Sequence, residues 1–438
     1  MFSRFLHFIK LPLTCIVYAK MRNFIHLDVN ESGEIKPLMK IPWTNRVLFI
    51  IYILISISTL VTALVSPVFR QYAAAPLRDW VVPPPEPVVI NLLYSTEKEE
   101  WIKEVTGLFN AGNPQINGRA IKIEFKQMGS REMVNDILDG KEKPVLMSPA
   151  SSMQILMLQD LSTQKFGHSL VNPADKTTCR PVLNSPLVLV AWRERAEALW
   201  GQTPDMDLWK QIHEAVNDPQ GWASYGHADW GYVKFGHTSP LTSNSGLMTI
   251  LLMTYSYFGI HEGLQSNDIL SNTGYKQWFT ETENTISNFG DSTGTYMKDM
   301  VAYGPSVYDF IAVYEATAIG QADNALGRNG AIHVYYPPLT VMSDHPFCIL
   351  QADWVKTEEA EASKTYMDFL LSRPAQELAL TKYGFRPADP SIPLDMAGSP
   401  FGRYADNGIK TSLPEQIQLP AGNVLNILLD FWTRYISH

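Results

Sequence analysis

Cysteine is scarce in this chain: Cys15, Cys179 and Cys348 are the only three among 438 residues. Three cannot build a disulfide framework, and none stands in a CxxC or Cys/His spacing that would hold structural zinc. Basic charge is also in short supply. The 35 lysines and arginines against 44 acidic residues leave a formal net charge of −9, and no long basic run follows residue 46. A nucleic-acid binder would carry a basic face instead. The common catalytic signatures are missing too: there is no GxSxG elbow, no HExxH, no GxxxxGK[ST] phosphate loop and no GxGxxG after the first strand. Nothing nominates a nucleophile beside a base, so the sequence does not call for an enzyme, a metal or a cofactor.

What is present describes a large globular protein. Hydrophobic residues make up 45% and charged residues 18% of the chain, a balance that supports a sizeable core. At this length two compact bodies are expected in preference to one. Apart from a proline-rich spacer there is no low-complexity tract, and no repeat of 20–50 residues.

The strongest local signal is VLFIIYILISISTLVTALV at 47–65, a run of 19 residues without a charge. At about 1.5 Å per residue a helix of that length spans the hydrocarbon core. Arg4, Lys10, Lys20, Arg22, Lys36, Lys40 and Arg46 precede it and only Arg70 and Arg78 follow closely. That asymmetry places a leader at 1–46 in the cytoplasm, an anchor at 47–65, and everything later outside the cytoplasmic membrane. A cleavable signal peptide is the competing reading: Ala73, Ala74 and Ala75 offer small residues for cleavage, and a start at Met39 would leave MKIPWTNR as a short n-region. The apolar run exceeds an ordinary h-region, which favours the retained anchor. Residues 66–87, containing VVPPPEP, read as an extended, semi-rigid linker.

From residue 88 onward strand and helix patterns alternate. Strands are expected at 88–93, 120–125, 144–148, 185–192, 233–238, 332–336 and 347–350. Helices are expected at 101–109, 131–139, 152–161, 194–200, 205–217, 244–258, 275–288, 306–321, 358–371, 374–383 and 422–435. The alternation predicts an α/β protein with largely parallel sheet.

In such sheets ligands bind beyond the carboxyl ends of strands, where helix starts present free N–H groups. Three strand-to-helix turns carry hydroxyl clusters: Tyr94, Ser95 and Thr96; Ser148, Ser151 and Ser152; and Thr242, Ser243, Asn244 and Ser245 with Gly246. Any one of them is explained by helix capping alone. Three from separate parts of the chain could ring a small polar solute. Asp309 and Glu315 fall near Tyr308 on one predicted helix, with a structural role favoured for Glu315. Asp344 and His345, before Pro346, read as a turn. Tyr94, Trp222 and Trp230 could stack on a sugar but are more often core residues. Outside the membrane a bridge between Cys179 and Cys348 would be permitted, although sequence does not supply their distance.

The blocks SPASS (148–152), SPLVLVAW (185–192), KFGHTSPLTSNSGL (234–247), GPSVYDFIAVYE (304–315), YPPLTVMSDHPFCIL (336–350) and YGFRPAD (383–389) resemble bacterial extracellular solute-binding proteins of the type II periplasmic class. The resemblance is to the branch whose members sometimes carry a von Willebrand factor type A domain and are distantly similar to molybdate-binding proteins; no such extra domain fits in this chain. It implies a two-lobed α/β fold behind one transmembrane helix, with lobe one at 88–190 and 340–438 and lobe two at 191–339. It also implies hinge closure over a cleft. By matching position, Ser95, Ser151, Ser152, Thr242, Ser243, Asn244 and Tyr308 should face that cleft, with Thr96 and Ser245 beside them in the same clusters. The expected function is non-catalytic capture of a small polar solute, an oxyanion being one candidate, for an ABC-type importer. The alternative is a membrane-bound sensor or interaction protein on the same fold.

Overall fold

The computed structural model describes residues 43–66, 85–201 and 208–436, with the side chains of 45, 63 and 64 excepted. Residues 1–42 of the expected leader, 67–84 of the expected linker, the start of the 205–217 helix and Cys15 lie outside the described residues. Two units are distinguished, one ending at Pro84 and the other starting at Pro85. In the first, a 23-residue helix, Trp43–Val65, carries the uncharged run. Its side chains are described without interruption over 46–62. Among the described residues no helix is long and apolar enough to cross a membrane.

The second unit is built on two six-stranded sheets. The first has the order Gln115–Ile116, Arg119–Gln127, Val88–Tyr94, Leu146–Ser148, Pro346–Ile349, Cys179–Pro181. Its centre is parallel, and Pro346–Ile349 runs antiparallel to both neighbours. The second sheet is centred on the long strand Leu183–Trp192, flanked by Phe310–Tyr314 and Ile332–Tyr335. Most of its pairings are antiparallel, and only Phe235–Gly236 pairs in parallel. Largely parallel pairing therefore holds at the centre of the first sheet and fails in the second.

Both sheets are covered on both faces. Leu187, Leu189 and Ala191 join one hydrophobic cluster while Val188, Val190 and Trp192 join another, as the two-residue period of a strand demands. The same division holds for Phe310, Ala312 and Tyr314 against Ile311 and Val313. A strand buried on both faces reads as a continuous apolar run. That is why 306–321 resembles a helix in sequence, whereas its first part is the strand Phe310–Tyr314 and the helix is Glu315–Leu326.

The chain passes from the first sheet to the second at Val182–Leu183 and returns between Ser343 and Pro346. Past Arg386, Ile392, Phe401 and Ile409 pack with the second sheet's cluster. The terminal helix Gly422–Tyr435 packs against both Ser152–Phe166 and Asn244–Phe258. Cys179 and Cys348 are register partners on adjacent antiparallel strands and are joined by a disulfide.

Candidate functional site

The two sheets face each other across a closed seam where several strand ends and helix starts meet. On the first-sheet side, Ser95 follows strand Val88–Tyr94, and its N–H donates to Ser148 O (3.1 Å) at the end of the neighbouring strand. Ser151 caps helix Ser152–Phe166 by accepting from Met153 N at 3.0 Å. On the second-sheet side, Ser243 precedes helix Asn244–Phe258. The Ser151 hydroxyl donates to Asn244 Oδ1 (3.4 Å), Gln154 Nε2 donates to the same oxygen (3.1 Å), and Asn244 Nδ2 donates to the Tyr314 hydroxyl (3.0 Å). Thr293, opening helix Thr293–Tyr303, lies 2.7 Å from Ser245 Oγ and 3.2 Å from Ser243 Oγ. Gly129, with Thr242 O 2.7 Å from where a Cβ would stand, lets the first-sheet side approach this closely.

Of the candidate residues, Ser95, Ser151, Ser243, Asn244 and Ser245 are thus buried along one seam. Ser152 sits at its edge with both donors engaged: its N–H and hydroxyl bond Asp344 at 2.7 and 2.5 Å. The carboxylate of Asp344 therefore fills the positive start of that helix, leaving none of it for a solute. Thr242 bonds Asp291 O through its hydroxyl (3.1 Å) and accepts from Arg131 N (3.2 Å). Thr96 stands beside Ser95 at the head of a short 3-10 turn. Tyr308 is elsewhere: its ring packs on Tyr296 at 5.0 Å in the core behind the second sheet, and its carbonyl accepts from Trp192 Nε1. Trp222 donates to Asp309 (2.9 Å), and Trp230 lies under Arg195, so neither tryptophan reaches the seam's hydroxyl cluster. Glu315 pairs with Arg386 in the core, a structural role.

Beneath Ser95 lies a charged cluster not anticipated from the sequence. Lys98 Nζ donates to Ser95 Oγ (2.6 Å) and Pro149 O (3.2 Å), and lies 3.3 Å from His345 Nδ1 and 3.6 Å from Glu97. Glu97 is 3.2 Å from His345 Nδ1, and His345 Nε2 is 3.3 Å from Ser343 Oγ. Burial drives the Lys98 pKa down to about 8 against the pull of Glu97. Burial also opposes the Glu97 charge, but Lys98 and His345 outweigh it and hold that carboxyl at about 2. His345 is pushed down to about 4 by burial and by Lys98. At neutral pH the cluster is one ammonium, one carboxylate and a neutral imidazole. In STEKEE, Lys98 reads as a solvated helix start, and only its spacing three after Ser95 hints otherwise. Tyr314, hidden in an apolar run, also belongs here, with its hydroxyl in reach of Asn244, Thr293 and Ser343 and its pKa raised by burial.

Two fully buried side-chain atoms along the seam, Ser148 Oγ and Gln154 Oε1, have no hydrogen-bond partner among the described residues. Such atoms are costly unless something else satisfies them. Among the described residues no cluster of His, Cys, Asp or Glu could hold a metal ion.

Comparison with known proteins agrees with this architecture. No curated protein matches the sequence. Among solved structures, a periplasmic thiamin binding protein is similar at a TM-score of 0.56 and 12% identity, over 80% of this chain and 96% of that one. The ferric binding protein from Campylobacter jejuni is similar at 0.52 and 12%, over 78% and 98%. The substrate binding protein of the ABC transporter from Agrobacterium tumefaciens is similar at 0.51 and 12%, over 80% and 95%. At such low identity the structural likeness shows the fold alone, the two-lobed α/β fold of periplasmic binding proteins. The model of the bacterial extracellular solute-binding protein family matches residues 90–386, and the chain belongs to that family.

Proposed function

We propose that the protein captures a small polar solute, an oxyanion fitting best, between two lobes that close over it and deliver it to an ABC-type importer. The observation that carries this reading is the seam itself. Hydroxyls and amides from both sheets meet at helix starts there, and two buried polar atoms are left without partners. At the start of helix Asn244–Phe258, where Ser243 makes no side-chain cap bond, first-turn N–H groups favour negative charge, and the hydroxyls beside it can replace a solute's water shell. The partner is suggested by the fold: one similar structure is described as the substrate binding protein of an ABC transporter.

The reading includes attachment to the outer face of the cytoplasmic membrane through helix Trp43–Val65. Supporting it are the uncharged run 47–65, the basic residues ahead of it, and the exposed apolar side chains Leu48, Phe49, Ile50, Leu54, Ile55 and Leu60. The solute-binding domain then stands in the periplasm or outside the cell.

The test is titration calorimetry of the purified full chain with sulfate, molybdate and phosphate, alongside sugars, amino acids, thiamin and ferric ion. One oxyanion is expected to bind with unit stoichiometry, and Asn244→Leu, which removes the amide joining both sides of the seam, should weaken it at least about tenfold. Binding of no solute, or binding indifferent to Asn244→Leu, would refute the reading.

A further inference from the structure

Resting on the solute-binding reading, we infer that Arg131 is the charge-reading residue of this site: its guanidinium, at the junction of the two sheets, pairs with a negatively charged solute. Arg131 lies in the first turn of helix Ser130–Leu138, and its own N–H bonds Thr242 O across the seam. Two residues beyond Thr242 is Asn244. The guanidinium meets Met157 Sδ at 3.9 Å, and Gln154, one turn earlier on the same helix, is the residue that bonds Asn244 and keeps an unpartnered Oε1. Arg131 thus reaches the helix one turn from Gln154, whose amide bonds Asn244.

Arg131 has no carboxylate partner at the seam, unlike several other partly buried arginines. Arg195 faces Asp309, Arg386 faces Glu315 and Arg180 faces Asp368. Lys98, the other cation at the seam, is matched by Glu97. No acidic oxygen among the described residues comes within ion-pair distance of Arg131. Asp430 on the terminal helix acts on it only through space, and burial lowers its pKa to about 10 without discharging it at neutral pH. A half-buried guanidinium with five donors and a sulfur neighbour is short of acceptors. The other charged positions are already balanced, with Asp344 on the start of helix Ser152–Phe166 and Glu97 on Lys98. An anion entering the seam thus finds one uncompensated cation, whereas a neutral sugar would leave it unmatched. Arginine is also suited to this role by its planar fork, which meets an oxyanion through two parallel bonds.

The experiment compares the full chain with its Arg131→Gln and Arg131→Lys variants. Thermal unfolding and calorimetry are run at fixed ionic strength with sulfate, molybdate and phosphate as probes and glucose as the neutral control. The solute-free unfolding midpoint should be preserved or raised in Arg131→Gln, because a poorly matched cation is removed. Anion affinity should fall about 10- to 100-fold in Arg131→Gln, as expected for loss of a charge-assisted bond, with partial recovery in Arg131→Lys. An anion that binds all three proteins equally would overturn the role of Arg131 and leave the solute-binding reading standing. Glucose binding without anion binding would do the same. Failure of every probe to bind the parent chain would remove both.

Discussion

His345 adopts a left-handed backbone, φ 38°, at the point where the chain returns from the second sheet to the first. For a residue other than glycine this costs on the order of 1 kcal/mol or more and persists only where the surroundings fix it. Here they do: its N–H donates to Ala150 O at 2.9 Å, and its ring lies against Lys98, Glu97 and Ser343. A neutral buried histidine has a consequence for acid stability. Its pKa is about 4 in the folded chain, below the ordinary 6.5, so between those values the unfolded chain binds more protons and stability falls as pH falls. Glu97, held at about 2 against an ordinary 4.5, adds a further loss below about pH 4.5. Urea unfolding at pH 7 and pH 5 should show the parent chain losing more stability than His345→Asn over that interval; equal losses would contradict the assignment. At this scale the sequence was partly legible. Adjacent Ser, Thr and Asn at strand-to-helix turns mark polar helix starts, and Ser95, Ser151 and Asn244 do lie along one seam. Lys98, Glu97 and His345 were not legible, because burial of a charge depends on a partner 247 residues away. Tyr308 has the residue type of a cleft tyrosine, but its place in the core is set by Tyr296 and Trp192.

At the scale of elements, the terminal helix Gly422–Tyr435 reaches across the molecule. Its Asn426 donates to Asp160 Oδ2 (3.0 Å) on helix Ser152–Phe166, and its Trp432 donates to Glu283 (2.7 Å) on helix Thr273–Glu283. Glu283 also holds His237 at 2.9 Å, next to Thr238 and its bond to Ser245. Val424, Leu425, Leu428 and Leu429 share one hydrophobic cluster with Met153 and Met157. This packing needs a glycine at the helix start: a Cβ on Gly422 would stand 2.7 Å from Leu156 O. Gly422→Val is expected to push the helix away and destabilise the fold by about 1–3 kcal/mol in urea unfolding, whereas Gly107→Val, where a Cβ meets nothing within 4 Å, carries no such clash. The helix itself was readable from its periodicity over 422–435. Its bridging position was not, since an apolar face does not name what it packs against. The strand Phe310–Tyr314 escaped for the opposite reason: with both faces buried it has no alternation to detect.

At the scale of the molecule, two mixed sheets are joined through Val182–Leu183 and the Ser343–Pro346 return, with the Cys179–Cys348 disulfide beside the crossings. The α/β class and the two-lobed family were visible in blocks such as KFGHTSPLTSNSGL because those residues form the seam's own turns. The antiparallel second sheet was hidden, since pairing direction is decided by crossovers that leave no local pattern. In the structure the lobes are closed: Arg131 N reaches Thr242 O and Ser151 reaches Asn244. A solute receptor must also open. Spin labels at exposed Lys122 on the first sheet and Asn324 on the helix Glu315–Leu326, in a chain with Cys15 replaced by serine, report the distance between lobes directly. Without added anion the account predicts a distribution that includes a longer separation; saturating sulfate, molybdate or phosphate should collapse it onto the closed one for the oxyanion that binds. A single closed separation unchanged by any of the three would contradict capture by lobe closure.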